Sequence, residues 1–201
     1  MSNIAVAVLA AGRGIRFGGS VPKPLLDLGG RPLLAHALAA ATASRWGSVL
    51  CVVSDDRVAA AVPPSVEVVR NDAPERGVAS SLHAVLRTLG PRPEIDAVIV
   101  GLADQPRVGA DAYRRIAAAY DGGAPLAVAT YGGVRGNPVL IGRALWSEAL
   151  ELAGDDGGRM LVRRHGAVEV PCDGTGEPTD VDTPEDLAGL ESTWKSQTAS
   201  E

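Results

Sequence analysis

The chain contains few of the residues that mark several common functional classes. It has two cysteines and three histidines among 201 residues, and aromatic side chains make up 3%. Cys51 and Cys172 do not form a paired metal-ligand spacing, so neither a zinc module nor a disulfide scaffold is indicated. Two ordinary thiols fit a reducing compartment. The shortage of aromatics leaves little surface on which nucleic-acid bases could stack.

The chain also lacks an excess of positive charge and a long apolar run. Its net charge of −5 and pI near 5.2 argue against a nucleic-acid partner. No apolar stretch reaches the roughly 18 residues of a membrane span. Residues 3–12 are hydrophobic, but no basic segment precedes them and a glycine-rich loop follows directly, so no signal peptide is predicted. We therefore expect a cytoplasmic protein with no membrane or nucleic-acid partner.

Short apolar runs alternate along the chain with segments of helical spacing. Strands are predicted at 4–9, 48–54, 66–70, 96–102 and 125–130. Helices are predicted at 32–43, 56–61, 78–89 and 109–120, with two more near 142–152 and 158–165. This alternation predicts an α/β fold, a three-layer α/β/α sandwich around a mostly parallel, Rossmann-like sheet. One domain is expected over residues 1–191, followed by a polar, frayed tail at 192–201.

A glycine-rich loop with three cations follows the first predicted strand. Glycines stand at 12, 14, 18 and 19, and the cations are Arg13, Arg16 and Lys23. Glycines let the backbone approach phosphate oxygens, and the cations neutralise phosphate charge. The glycine spacing differs from that of a dinucleotide fold, and no Gly-Lys-Ser/Thr marks a Walker loop. The loop therefore predicts a polyphosphate site of another kind.

Two acidic segments are candidates for a metal site. Asp104 follows a buried strand, where a carboxylate facing the phosphate loop would ligate Mg²⁺, although an aspartate there also suits a turn or a helix cap. The segment Asp180-Val-Asp-Thr-Pro-Glu-Asp-Leu contains Asp182 and Thr183, either of which could cap a helix that begins at Pro184.

The same motifs occur, in the same order, in a known family. They are the loop at 9–23, the segments 71–82 and 104–106, the run 135–140, and the segments 154–159 and 180–186. On these motifs the chain resembles the nucleotidyltransferases with a glycosyltransferase A-type fold, and within them the molybdenum cofactor cytidylyltransferases, which belong to the MobA-like NTP transferases. The resemblance implies Mg²⁺-dependent transfer of a nucleotide from an NTP to molybdopterin, with release of pyrophosphate. It also implies a molybdoenzyme or its chaperone as a protein partner.

The resemblance assigns roles to individual residues. Arg16 and Lys23 match the cations on the triphosphate and, with Asp104, form the catalytic set. Asp104 and Asp182 match the metal ligands, with Asp180 as the reserve for the second. The candidate nucleotide-binding residues are Leu9, Ala10, Ala11, Gly12, Arg13, Lys23, Asp72, Ser80 and Ser81. The candidate acceptor-binding residues are Arg135, Asn137, Arg159 and Arg163. Ala11, where guanylyl-transferring relatives tend to have glycine, favours CTP over GTP.

The chain departs from the family pattern at two places. Four residues separate Gly18 from Lys23, a longer spacing that resembles sugar-nucleotide and isoprenoid-precursor cytidylyltransferases. Asn137 stands where relatives often have histidine. Three alternatives therefore stay open: a sugar phosphate acceptor, a three-carbon phosphate acceptor, and a non-catalytic protein that carries molybdopterin or a nucleotide. An NAD-binding oxidoreductase is disfavoured by the glycine spacing.

Overall fold

The protein is built around a seven-stranded sheet. The computed structural model describes residues 2–12, 20–154 and 157–198, and their side chains except those of 157 and 195–198. Two strands, β2 (Asp27–Leu28) and β3 (Arg31–Pro32), form a separate small hairpin. The seven strands of the main sheet are β1 (Ile4–Leu9), β4 (Val49–Val53), β5 (Glu67–Arg70), β6 (Ala97–Leu102), β7 (Leu126–Tyr131), β8 (Val134–Gly142) and β9 (Val168–Pro171).

The order of strands across the sheet is β5-β4-β1-β6-β8-β7-β9. Strand β8 is antiparallel to both of its neighbours, and the other pairings are parallel. The carboxyl ends of β1, β4, β5 and β6 therefore lie together along one edge, which is where open α/β sheets bind their ligands. The five strands predicted from apolar runs are all present, each within one residue of its predicted bounds.

Helices cover both faces of the sheet. Their bounds are α1 (Leu33–Ala43), α2 (Asp56–Ala60), α3 (Val78–Leu89), α4 (Ala110–Asp121), α5 (Trp146–Ala149), α6 (Gly157–His165) and α7 (Pro184–Thr198). On one face, Val6 and Val8 pack with Leu38 of α1 and Ile116 of α4. On the other face, side chains of α3, α5 and α6 pack against β1, β4 and β6. The predicted three-layer α/β/α sandwich is confirmed.

The segment 131–182 contains more structure than the sequence predicted. Strands β8 and β9 both lie in it, and the helix predicted near 142–152 is only a 3-10 turn at Arg143–Leu145 followed by the single turn of α5. The final helix, α7, continues past residue 191 to Thr198. Its Trp194 meets His36 edge-on, with ring centroids 4.7 Å apart. Within the described ranges, no helix is long and apolar enough to span a bilayer.

Candidate functional site

The segment that follows β1 is fixed between the ends of two neighbouring strands. The amide of Ala10 donates to the carbonyl of Val52 at 2.8 Å, and the amide of Ala103 donates to Leu9 at 3.0 Å. Ser54 Oγ donates to the carbonyl of Ala11 at 3.2 Å. Leu9, Ala10 and Ala11 are all buried, so the loop leaves the sheet at a defined point.

Gly12 is the last residue that the structure describes before a gap in the glycine-rich loop. A Cβ built on Gly12 would meet no described atom within 4 Å, and its φ lies outside the left-handed region. The described residues therefore give no steric reason for a glycine here, and among them there is space in which a ligand could approach the backbone. The candidates Arg13 and Arg16 lie outside the described residues, which resume at Ser20.

Three of the predicted catalytic and metal-binding side chains meet at one point. Lys23 begins a 3-10 turn, Lys23–Leu25, directly after Pro22. Its Nζ lies 2.6 Å from Asp104 Oδ2 and 2.7 Å from Asp182 Oδ1. Burial alone would lower the pKa of Lys23, but attraction to Asp104 and Asp182 outweighs it, and the pKa is raised above the ordinary 10.5. The lysine therefore stays charged and bridges the two carboxylates.

The two carboxylates are carried by loops that are bonded to each other. The amide of Val181, the residue before Asp182, donates to the carbonyl of Asp104 at 2.9 Å. This bond holds the backbones of the two candidate ligands side by side. Further along, Gly109 N donates to Thr175 O at 2.9 Å and Glu177 N to Arg107 O at 3.2 Å. Segments 104–109 and 175–181 thus run side by side.

The start of α7 fixes the backbone of Asp182. The amides of Asp182 and Thr183 both donate to Asp186 Oδ2, at 2.9 and 2.8 Å, and the amide of Asp186 donates to Thr183 Oγ1 at 3.2 Å. This is a reciprocal capping arrangement in which Thr183 is the cap residue. The hydrogen bond with the Thr183 side chain, followed by the two backbone bonds, lowers the pKa of Asp186. The Asp182 side chain is left to face Lys23.

This site fits a divalent cation that keeps part of its water shell. Two carboxylate oxygens converge on one positive charge, the Lys23 ammonium, which stands in for a metal ion. In the described part of the chain, no group of three or more histidine, cysteine or acidic side chains could hold a metal. Two protein carboxylates completed by water and substrate phosphate oxygens are the usual donor set for Mg²⁺. Asp182 contacts the same ammonium group as Asp104, whereas Asp180 accepts a hydrogen bond from Gln105.

A second group of candidate residues lies at the ends of β5 and α3. Asn71 is buried, and its Nδ2 donates to both Ser80 Oγ and Ser81 Oγ at 2.9 Å. The amide of Ala73 donates to Asn71 Oδ1 at 3.0 Å. Asp72 is exposed beside this network. Asp72, Asn71 and Ser80 line one end of a groove of about 470 Å³ between β5 and α3.

The candidate acceptor residues lie on β8 and α6. Arg135 is paired with Glu169, with Nη2 2.7 Å from Oε1. Asn137 lies in an irregularity of β8, where the pairing with β7 shifts between Val128 and Ala129, and such bulges often redirect a side chain near a site. Two basic members of α6 that follow Arg163 bind Glu148 of α5.

Those two members are Arg164 and His165. Arg164 Nη1 lies 2.7 Å and His165 Nε2 2.5 Å from the carboxylate of Glu148. The hydrogen bond from Arg164, followed by that from His165, lowers the pKa of Glu148. Arg159 and Arg163 remain the acceptor candidates on this helix, and both are exposed.

One contact beside the candidate metal site is not predicted by the sequence. The side chain of Gln105 is buried, and its Nε2 donates to Asp180 Oδ1 at 2.9 Å and to the carbonyl of Pro178 at 3.2 Å. A glutamine after an aspartate at a strand end gives no sequence signal of a partner so far along the chain.

Known proteins resemble this chain in sequence and in fold. The family model of the MobA-like NTP transferase domain matches residues 6–169. The chain is 34% identical over 128 residues to the 3-deoxy-manno-octulosonate cytidylyltransferase of Anaeromyxobacter sp. (strain K). This match covers 63% of this chain and 51% of that protein. The chain thus spans about half the length of this curated relative.

Solved structures match over nearly the whole chain. The crystal structure of Rv0371c from Mycobacterium tuberculosis H37Rv has a TM-score of 0.82 at 29% identity, and the match covers 95% of this chain and 98% of that one. The manganese complex of Rv0371c has a TM-score of 0.79 at the same 29% identity, covering 96% and 100% of the two chains. From the family model and the fold together, this chain belongs to the MobA-like NTP transferase family.

Proposed function

We propose that this protein is a metal-dependent nucleotidyltransferase that moves a nucleotide from an NTP, CTP in preference to GTP, to a small phosphorylated acceptor and releases pyrophosphate. The observation that carries the proposal is the meeting of Lys23, Asp104 and Asp182 at the carboxyl end of the sheet. Catalysis of such transfers depends on positioning and charge neutralisation, which one lysine and two carboxylates on a metal are suited to supply. A non-catalytic carrier would not need this set.

Each charged residue has a separate task in this reaction. Asp104 and Asp182 would hold Mg²⁺ or a similar divalent ion, which neutralises phosphate charge and orients the phosphates when bound. The manganese complex of Rv0371c supports a divalent ion in this fold. Lys23, with Arg16, would contact the triphosphate and stabilise the charge that develops on the leaving pyrophosphate. An oxygen of the acceptor, a phosphate oxygen where the acceptor is phosphorylated, attacks the α-phosphorus in line as pyrophosphate leaves, so no protein nucleophile is needed.

The nucleotide would lie over the end of β1. The room that the described residues leave around Gly12 and the burial of Leu9, Ala10 and Ala11 support close approach of the base and ribose to this backbone. The candidates around Asn71 (Asp72, Ser80 and Ser81) would face the nucleotide from the adjacent strand end.

We propose molybdopterin as the first acceptor. The match to the MobA-like domain and the order of the motifs support it, with Arg135, Asn137, Arg159 and Arg163 as the residues that would hold the acceptor. In that case a molybdoenzyme or its chaperone would receive the product, and the reaction would take place in the cytoplasm.

A second acceptor is supported by a specific observation. The spacing of four residues between Gly18 and Lys23 resembles sugar-nucleotide and isoprenoid-precursor enzymes. Two relatives are named for such substrates. One is the 3-deoxy-manno-octulosonate cytidylyltransferase described above, and the other is a 2-C-methyl-D-erythritol 4-phosphate cytidylyltransferase of Cereibacter sphaeroides. The second is 35% identical over 121 residues, a match that covers 58% of this chain and 53% of that protein. A sugar acid or sugar phosphate acceptor is therefore the alternative.

The deciding experiment measures pyrophosphate release with Mg²⁺, CTP or GTP, and each acceptor in turn. Molybdopterin, 2-C-methyl-D-erythritol 4-phosphate and 3-deoxy-manno-octulosonate would be compared under identical conditions. Release with CTP and molybdopterin is expected. Release only with 2-C-methyl-D-erythritol 4-phosphate or with 3-deoxy-manno-octulosonate would favour a sugar phosphate or sugar acid acceptor over molybdopterin. Failure to bind any NTP in the presence of metal would refute the nucleotidyltransferase proposal.

A single substitution tests the metal assignment. Asp104→Ala should abolish pyrophosphate release while the circular dichroism spectrum stays unchanged, because the carboxylate is partly exposed and contributes little to the core. Asp56→Ala, which removes an exposed carboxylate on α2, is the matched control and should keep full activity. Retained turnover in Asp104→Ala would remove Asp104 from the site.

A further inference from the structure

Gln105 connects the two loops that carry the candidate metal ligands. It follows Asp104 directly, and its amide group reaches across to segment 178–180 with hydrogen bonds of 3.2 Å to the Pro178 carbonyl and 2.9 Å to Asp180 Oδ1. Only 4% of the residue is exposed. It is therefore a buried side-chain link between the loop of Asp104 and the loop of Asp182, parallel to the backbone bond from Val181 to Asp104.

This link leaves one polar atom of Gln105 without a partner. Both hydrogens of Nε2 are used, and Oε1 is buried with no hydrogen-bond partner among the described residues. Flipping the amide would not help, because Oε1 would then face two acceptors, the Pro178 carbonyl and the Asp180 carboxylate. A buried acceptor left unpaired costs about 1–3 kcal/mol.

Stability therefore does not explain why a glutamine stands at this position. Methionine has nearly the same shape and size and has no carbonyl oxygen to leave unpaired. Asp180 is an exposed residue, so water could replace the amide as a donor to its side chain. What methionine could not do is hold segment 178–180 at a hydrogen-bond distance from residue 105.

We propose that Gln105 is a positioning residue that holds Asp182 at the correct separation from Asp104 by anchoring Asp180, two residues earlier in the same loop. The inference rests on the proposed function for the role of the two carboxylates as metal ligands. Groups that orient metal ligands without touching the ion commonly change metal affinity by about 10- to 100-fold when they are removed.

The test is Gln105→Met, assayed by Mn²⁺ binding instead of turnover. Mn²⁺ affinity would be measured by electron paramagnetic resonance in the presence of a CTP analogue with a non-cleavable α,β-methylene bridge, and thermal unfolding would be followed in parallel. We expect Mn²⁺ affinity to fall about tenfold, the lower end of the range for such groups, while Tm stays the same or rises. A residue that served only stability would lower Tm instead.

Arg107→Met is the matched control in the same loop. Arg107 Nη1 pairs with Glu177 at 3.0 Å and also links the two segments, but its bonds lead to Glu177 and to Thr193 of α7 and not to residues 178–180. This variant should lower Tm and leave Mn²⁺ affinity within about twofold of the parent protein, since partly exposed pairs contribute at most about 1 kcal/mol.

Asp180→Ala completes the test. If Gln105 acts through Asp180, then Asp180→Ala and the double variant with Gln105→Met should weaken Mn²⁺ binding by the same factor as Gln105→Met alone. A much larger loss for Asp180→Ala would mean that Asp180 itself binds the ion, which overturns the inference. Unchanged Mn²⁺ affinity in Gln105→Met also overturns it but leaves the proposed function intact, whereas no Mn²⁺ binding by the parent protein would overturn both.

Discussion

Lys23 occupies the place between two carboxylates that a divalent ion would take, and this leads to a prediction about the ligand-free protein. Its side chain is 10% exposed, whereas those of Asp104 and Asp182 are 30% and 43% exposed. Exposed ion pairs contribute about 0.2–1 kcal/mol, and breaking a buried pair costs about 3–5 kcal/mol. The intermediate exposure here places the cost of Lys23→Met at about 1–3 kcal/mol of unfolding free energy, because solvent screens part of the attraction.

For a protein of this size, 1 kcal/mol corresponds to about 2–4 °C in Tm. We therefore expect Lys23→Met to lower Tm by about 2–12 °C in the absence of metal. Adding Mn²⁺ or Mg²⁺ without nucleotide should then raise the Tm of the variant more than that of the parent protein, because the ion no longer competes with an ammonium group for the same oxygens.

Differential scanning fluorimetry over a metal titration measures both effects. Arg31→Met is the control, since it removes an exposed cation of the β2–β3 hairpin whose hydrogen bond to Ala35 is long, at 3.3 Å. A parent protein that gains as much Tm from metal as Lys23→Met does, or a variant with unchanged Tm, would show that Lys23 does not act as a counter-ion for these carboxylates.

Three further predictions concern other parts of the molecule. Thr183→Ala, which removes the cap of α7, should cost about 1 kcal/mol and lower Tm by a few degrees in thermal unfolding. The pKa of Glu148 is lowered, mainly by its hydrogen bond with Arg164. This carboxylate therefore stabilises the fold at pH values above its ordinary pKa of 4.5, and the stabilisation is lost as the pH falls through the lowered pKa. Glu148→Gln should flatten this part of the pH–stability curve measured by urea unfolding. Burial raises the pKa of Cys51 to about 12, and Cys172 is buried too, so both thiols should resist a disulfide reagent at pH 8 until the protein is unfolded; rapid labelling of the native protein would contradict this.

The sequence was most informative where one physical signal dominated. The strands of the parallel half of the sheet are continuous apolar runs, and such runs predict buried strands. Strand β8 was missed because Gly136, Asn137 and Pro138 lie inside it, and these residue types normally indicate a turn. Strand β9 has only four residues and is mostly exposed, so it carries no apolar pattern.

The candidate site shows the same division. Asp104 and Asp182 could be chosen from their motifs, but local patterns do not predict that both would contact Lys23, because these three residues are far apart in the chain and only the strand order brings them together. The link from Gln105 to Asp180 depends on how two irregular loops pack, which has no periodic signal. The unusual spacing before Lys23 was visible in the sequence, and relatives named for sugar acids and isoprenoid precursors are indeed among the matches.

The distribution of the site along the chain has a consequence for protein synthesis. In the order of synthesis, Lys23 precedes Asp104 and Asp182 follows both. All seven strands of the main sheet precede Asp182, so a growing chain could form much of its core before the second carboxylate emerges. A nascent protein would therefore have a lysine paired with a single aspartate and a weak affinity for metal and nucleotide. Under the proposed function, tight binding would begin only once Asp182 and α7 have joined the fold, so the substrates would favour chains in which this domain has closed.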